Sequence, residues 1–149
     1  MLTEADASRA MNNKRIFVVE SDEVIRHALE FILESGNETH VLAGLEQAYT
    51  AGQRWKPDLV LLGLSAVRDR GILVLDEIAV RLPDAKILLV AESRNDPLAL
   101  LCLAIGADGV LGQPITYDSV CDKVDLLLER KKPSRPFLDT LATSRKSLS

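Results

Sequence analysis

The residues best placed to do chemistry fall in two short stretches. The first is Glu20-Ser21-Asp22-Glu23, three acids and a hydroxyl directly after the apolar run Arg15-Ile16-Phe17-Val18-Val19. Acids gathered in one turn can hold a cation weakly, and they equally suit the positive end of a following helix. The second is Pro57-Asp58-Leu59-Val60-Leu61-Leu62-Gly63, a Leu- and Val-rich run of the kind a strand covered on both faces shows. In open α/β sheets, ligand and chemical sites lie outside the carboxyl ends of such strands. The residue delivered there is Gly63, which has no side chain. Ser65 and Asp69 follow in what reads as a loop and could approach the same place. Asp58 stands at the other end of the run, roughly 15 Å away at the strand rise, as a solvated strand-entry residue.

Other reactive side chains lack partners at useful spacing. His27 and His40 have no further His or Cys at ligand distance in sequence and read as surface histidines. Cys102 and Cys121 fall in helical patterns without metal-type spacing and read as free buried thiols. No cofactor is expected.

The elements that must position these residues alternate regularly. Residues 1–13 carry no periodicity and read as a loose arm. Arg15–Val19 is a strand, and the helix after it turns Ile25, Ala28, Leu29, Ile32 and Leu33 inward, capped by Ser21 or Asp22 and ended by Gly36-Asn37. His40-Val41-Leu42 is a weak edge strand. The next helix places Leu45, Ala48, Tyr49 and Trp55 at core spacing. After Leu59–Gly63 and a loop over 64–70, a helix from Gly71 presents Ile72, Leu75, Ile78, Ala79 and Leu82 to the core, and Pro83 breaks it. Lys86–Ala91 is a strand. Asn95-Asp96-Pro97 combines a capping residue with proline at the first helical position, and the helix it starts ends at Gly106. Gly109-Val110-Leu111 is a short last strand. A final helix buries Val120, Cys121, Val124, Leu127 and Leu128. Five strands alternating with five helices predict an α/β, doubly wound parallel sheet in order 2-1-3-4-5, a flavodoxin-like sandwich.

Composition narrows the function classes. A chain of 149 residues, 47% hydrophobic and 4% aromatic, suits one domain with an aliphatic core. It contains no run approaching the roughly 18 apolar residues of a membrane span, and its polar start Met1-Leu2-Thr3-Glu4 is unlike a secretion signal. The expected location is cytoplasmic. From Arg130 onward six basic residues (Arg130, Lys131, Lys132, Arg135, Arg145, Lys146) face one acid, Asp139, so this tail carries +5 and the other 129 residues −9 of the net −4. An acidic body with a basic tail is not a DNA-binding domain, which would carry its basic stripe on a folded face, so nucleic acid is not an expected partner. The expected layout is an arm over 1–13, a domain over 14–131 and a disordered basic tail over 132–149.

Four stretches carry a resemblance: Ile16-Phe17-Val18-Val19-Glu20-Ser21-Asp22-Glu23, Pro57–Gly63, Leu82-Pro83-Asp84-Ala85, and Gly106-Ala107-Asp108-Gly109-Val110-Leu111-Gly112-Gln113-Pro114. From about Lys14 to Lys132 the chain resembles the receiver domain of bacterial two-component response regulators, including the chemotaxis regulators. The resemblance implies phosphoryl transfer from a histidine kinase to an aspartate at the end of the third strand. That aspartate is a nucleophile. Two acids after the first strand hold Mg²⁺, and a hydroxyl and a lysine after the fourth and fifth strands bind the phosphoryl oxygens.

This sequence departs from the family at each of those positions. Gly63 stands at the acceptor position, Glu20 and Ser21 at the paired acids, Ala91 at the hydroxyl and Gln113 at the lysine; Val110 replaces the aromatic switch residue of the fifth strand. Nucleophile, metal ligand, hydroxyl and cation are lost together, so the resemblance is to a degenerate pseudo-receiver. The expectation is a stand-alone, non-enzymatic signalling protein of a two-component or phosphorelay pathway that works by protein–protein contact. The alternative is an unusual Mg²⁺-dependent phosphoacceptor using a residue such as Asp69.

The contact surface is expected on the helix Pro97–Ile105, which has no polar residue between Pro97 and Gly106. A sheet-covering helix normally keeps a polar outer stripe. Here any outward face is apolar, and such patches mark interfaces. Leu98, Leu101, Cys102, Ile105 and Val110 are the expected interface residues. They lie on the fourth helix and fifth strand, which together with the fifth helix the resemblance makes the dimer or partner face; cover by the tail segment Phe137-Leu138 is the competing reading.

Overall fold

The computed structural model describes residues 14–129. The expected arm over 1–13, the last two residues of the expected domain over 14–131 and the whole expected tail over 132–149 lie outside them. The strands are β1 (Lys14–Val19), β2 (Asn37–Leu42), β3 (Leu59–Gly63), β4 (Lys86–Ala91) and β5 (Gly109–Gly112). The helices are α1 (Glu23–Leu33), α2 (Leu45–Gly52), α3 (Leu64–Arg70), α4 (Val74–Arg81), α5 (Pro97–Ile105) and α6 (Tyr117–Leu127). All strand pairs are parallel, in the order β2-β1-β3-β4-β5. This is the doubly wound, flavodoxin-like sheet that the alternation predicts.

β3 is buried along its whole length, and its pleat feeds two cores. Val60 and Leu62 join Phe17, Val19 and Leu89 beneath α2 to α5. Leu59 and Leu61 join Ile16, Val18, Leu88 and Val90 beneath α1 and α6. Local signals fix the helix starts. Asp22 accepts a hydrogen bond from Ile25 N at 3.0 Å to cap α1, and Asp96 accepts from Leu98 N at 2.8 Å to cap α5 ahead of Pro97. Thr116 and Ser119 form a reciprocal capping box on α6.

The structure corrects the helix count from five to six. The expected loop over 64–70 is α3, because Leu64 and Val67 sit three apart and bury together. Gly71, at φ +87°, ends that helix by donating its N–H to Val67 O at 2.7 Å. The following helix therefore starts at Val74 rather than Gly71. Val74, Leu75, Ile78 and Leu82 face the core, while Ile72 and Ala79, expected inward, are exposed. Trp55 also departs from its expected core place: it lies past the end of α2 and stacks on His40, ring centres 5.5 Å apart. That contact, with His40 Nε2 2.8 Å from Glu38 Oε2, half-buries a histidine expected on the surface.

Leu61→Ala removes a fully buried side chain from the centre of the sheet and should lower the unfolding free energy by roughly 2–5 kcal/mol. Val24→Ala, on the outer face of α1, should stay within about 0.5 kcal/mol. Urea denaturation followed by circular dichroism measures both, and equal effects would contradict this assignment of the core.

Candidate functional site at the carboxyl edge of the sheet

β1 and β3 run side by side, with Val19 paired to Leu62. One residue further along, Glu20 leaves β1 where Gly63 ends β3. The Gly63 backbone, at φ −60° and ψ 136°, is in a region open to any residue, so conformation does not demand glycine here. Space does. A Cβ on Gly63 would lie 2.7 Å from Glu20 Oε2 and 2.9 Å from both Cδ and Oε1. The Glu20 carboxylate fills the volume that a side chain on Gly63 would need.

Glu20 is only 6% exposed and is the buried charged residue among those described. A buried carboxylate needs hydrogen-bond donors to offset its lost hydration. Asp22 N supplies one, donating to Glu20 Oε2 at 3.0 Å. Arg26 donates through Nη1 to the Glu20 carbonyl at 3.2 Å, fixing the backbone of the same residue.

Above this plug lies an open cleft of about 430 Å³, lined in part by Glu20, Ser21, Ser65, Arg68, Ala91 and Gln113. The structure thus gathers Glu20, Ser21, Ala91 and Gln113 as expected, with Gly63 beneath the Glu20 carboxylate. Ser21 and Ser65 face each other, Oγ to Oγ at 3.1 Å, and join the end of β1 to the start of α3. Ala91 presents a methyl group and Gln113 an amide. Asp69 does not line this cleft; it lines a smaller, adjoining depression that shares Ser21 and Ser65 with it. Asp58 is at the opposite strand end, where its carboxylate accepts from Arg15 N at 2.9 Å.

The donors do not fit a divalent cation. Mg²⁺ takes near-octahedral oxygen ligands, commonly with one or two carboxylates. Here Glu20 turns into the Gly63 space, Asp22 caps α1, and Gly63 offers no oxygen from a side chain. No group of three or more His, Cys, Asp or Glu among the described residues could hold a metal. Of the acids in this turn, Glu20 therefore acts as a plug and Asp22 as a cap.

One feature of the site was not read from the sequence. Arg68, on α3, donates through Nη2 to Asp96 Oδ2 at 2.6 Å across the cleft. Asp96 uses its other oxygen to cap α5. The Asn-Asp-Pro motif signalled the cap. The arginine gave no signal, because its helix was read as a loop.

The apolar face of α5 is present but differently composed. Leu100, Leu101, Leu103 and Ile105 are between 38 and 48% exposed. Cys102 and Val110, expected at the interface, are 0 and 5% exposed. Cys102 shares the inner stripe of α5 with Ala99, and Val110 points from β5 into the same core. Burial also pushes the Cys102 thiol above its ordinary range. Leu98 is half-buried against the core. Of the expected set, Leu101 and Ile105 face outward.

Glu20 and Gly63 should be energetically coupled. Gly63→Ala should destabilise the wild-type chain and cost about 1 kcal/mol less in a Glu20→Ala background, a coupling within the range for side chains in contact. A double-mutant cycle by chemical denaturation measures it, and strictly additive effects would show that the two do not share a space.

Comparison with known proteins agrees with this geometry. The response regulator receiver domain model matches residues 16–125. The alkaline phosphatase synthesis transcriptional regulatory protein PhoP of Bacillus subtilis is 28% identical over 125 residues, covering 83% of this chain and 52% of that protein. Protein CcdB of the same organism is 25% identical over 118 residues, covering 76% of this chain and 97% of its own length. The chain thus spans about half of PhoP and nearly all of CcdB. Among solved structures, a response regulator from Thermotoga maritima superposes with a TM-score of 0.70 at 19% identity, over 78% of this chain and 98% of that one. The chemotaxis protein CheY4 of Vibrio cholerae superposes with a TM-score of 0.66 at 17% identity, over 76% and 98%. Both are likenesses of fold. No helix among the described residues is long and apolar enough to cross a membrane. A receiver-type sheet, a cleft at the carboxyl ends of its strands and a family match across most of its length make one conclusion: the chain belongs to the response regulator receiver domain family of two-component signalling.

Proposed function

We propose that this chain is a pseudo-receiver, a non-enzymatic signalling module that acts by protein–protein contact rather than by accepting a phosphoryl group. The observation that carries this reading is the Glu20 carboxylate lying in the space of the absent Gly63 side chain. An acyl phosphate needs a carboxylate nucleophile open to the donor and charge neutralisation around the transferred group. Glu20 is buried and held by Asp22 N, Ala91 carries no hydroxyl, and Gln113 carries no charge. Arg68, the cation that lines the cleft, is already paired with Asp96. The Asp69 alternative is less favoured, since Asp69 lines an adjoining depression rather than the cleft that holds Ala91 and Gln113.

The contact surface in this reading is the outer face of α5 with the neighbouring edge of the sheet, engaged by a protein partner or a second copy. The exposed residues Leu100, Leu101, Leu103 and Ile105 form an apolar patch on a helix without a charged residue. The Arg68–Asp96 pair ties the start of that helix to the cleft.

A charge at the patch should abolish association while leaving the fold intact. Leu101→Glu is expected to lose the partners captured by the wild-type protein from its native cell, or its dimer, whereas Val24→Glu on α1 keeps them. Affinity capture with light scattering reads both. Unchanged partners and unchanged oligomeric state in Leu101→Glu would refute the interface.

A further inference from the structure

The exposed face of α5 is too small to hold a folded partner by itself. Four side chains, each less than half exposed, fall short of the about 800 Å² per partner that a standard interface buries. A folded partner must also engage the flanking surface, whereas a short peptide segment is matched to the patch alone. The chain carries such a segment. Phe137, Leu138, Leu141 and Ala142 supply four apolar side chains within six residues of sequence.

Position and charge favour the same pairing. α6 returns the chain to the end of the sheet where α5 finishes: Leu127 Cδ1 lies 3.5 Å from where a Cβ on Gly109 would sit, and Gly109 opens β5 three residues after Gly106 closes α5. From Glu129 the eight residues to Phe137 can span on the order of 25 Å, against about 13 Å for the length of α5. The segment lies within the stretch from Arg130 onward, which carries net +5, while the other 129 residues carry −9. Tethering through so short a linker gives a millimolar effective concentration, enough for a weak apolar contact to form.

We propose that the segment 136–142 docks intramolecularly on the outer face of α5, over Leu100, Leu101, Leu103 and Ile105, and competes there with the protein partner. This rests on the reading of that face as the docking surface and adds its regulation. Hydroxyl-radical footprinting of the full chain, read by mass spectrometry, tests it. In a Phe137→Asp/Leu138→Asp variant, oxidation of the four α5 side chains should rise at least about threefold over wild type, independent of protein concentration, and partner capture should strengthen. Equal oxidation in both proteins would overturn the proposal, as would protection that grows with concentration, which would mean that a second copy covers the face. If the tail variant changes nothing while Leu101→Glu still abolishes capture, the tail is not the occupant and the docking surface stands.

Discussion

Two adjacent parallel strands, β1 and β3, end side by side, and the space between their carboxyl ends holds one side chain. In this chain that side chain is Glu20. The strands cannot slide to relieve the crowding, because β3 is buried on both faces and a one-residue slip would turn its leucines to the wrong cores. A residue with a Cβ at position 63 must therefore displace a buried carboxylate from its hydrogen bond with Asp22 N. Glycine is the solution that leaves Glu20 in place. The acid that follows β1 and the glycine that ends β3 are then one structural fact, since the Glu20 carboxylate occupies the space a side chain on Gly63 would take.

The cleft above this plug connects to the surface through few contacts. Ser21 and Ser65 link the end of β1 to α3, and Arg68 links α3 to the capping residue of α5. Exposed ion pairs contribute little to stability, about 0–1 kcal/mol. The Arg68 contact matters more for position: it joins α3 to the residue that caps the helix carrying the apolar face. Asp96 thus touches both the cleft, through Arg68, and the start of the helix that carries the apolar face.

The sheet, its strand order and the caps of α1 and α5 were legible because each rests on local pattern: β-length apolar runs, Asp before a helix, proline at its first turn. What was illegible depended on phase and on contacts distant in sequence. The stretch 64–70 looked like a loop because it is short and, apart from Leu64, Ala66 and Val67, polar, and with α3 unseen the phase of α4 slipped so that Ile72 and Ala79 seemed inward. Trp55 fitted a helical spacing that Gly52 had already ended, and its partner His40 is on another element. The apolar face of α5 was clear from composition. Which residues occupy it was not, since a helix apolar on all sides carries no amphipathic phase to separate Cys102 from Leu101. At the site, the absent groups could be read from residue identity. That Glu20 fills the place of the missing one required coordinates.

The most direct measurement is the intact mass of the full chain after incubation with acetyl phosphate and Mg²⁺, recorded before and after mild base, which hydrolyses acyl phosphates. An unchanged mass is expected, because the Glu20 carboxylate is buried and hydrogen-bonded and the cation lining the cleft, Arg68, is paired with Asp96. A stoichiometric gain of one base-labile phosphoryl group would contradict the reading of this chain as a pseudo-receiver.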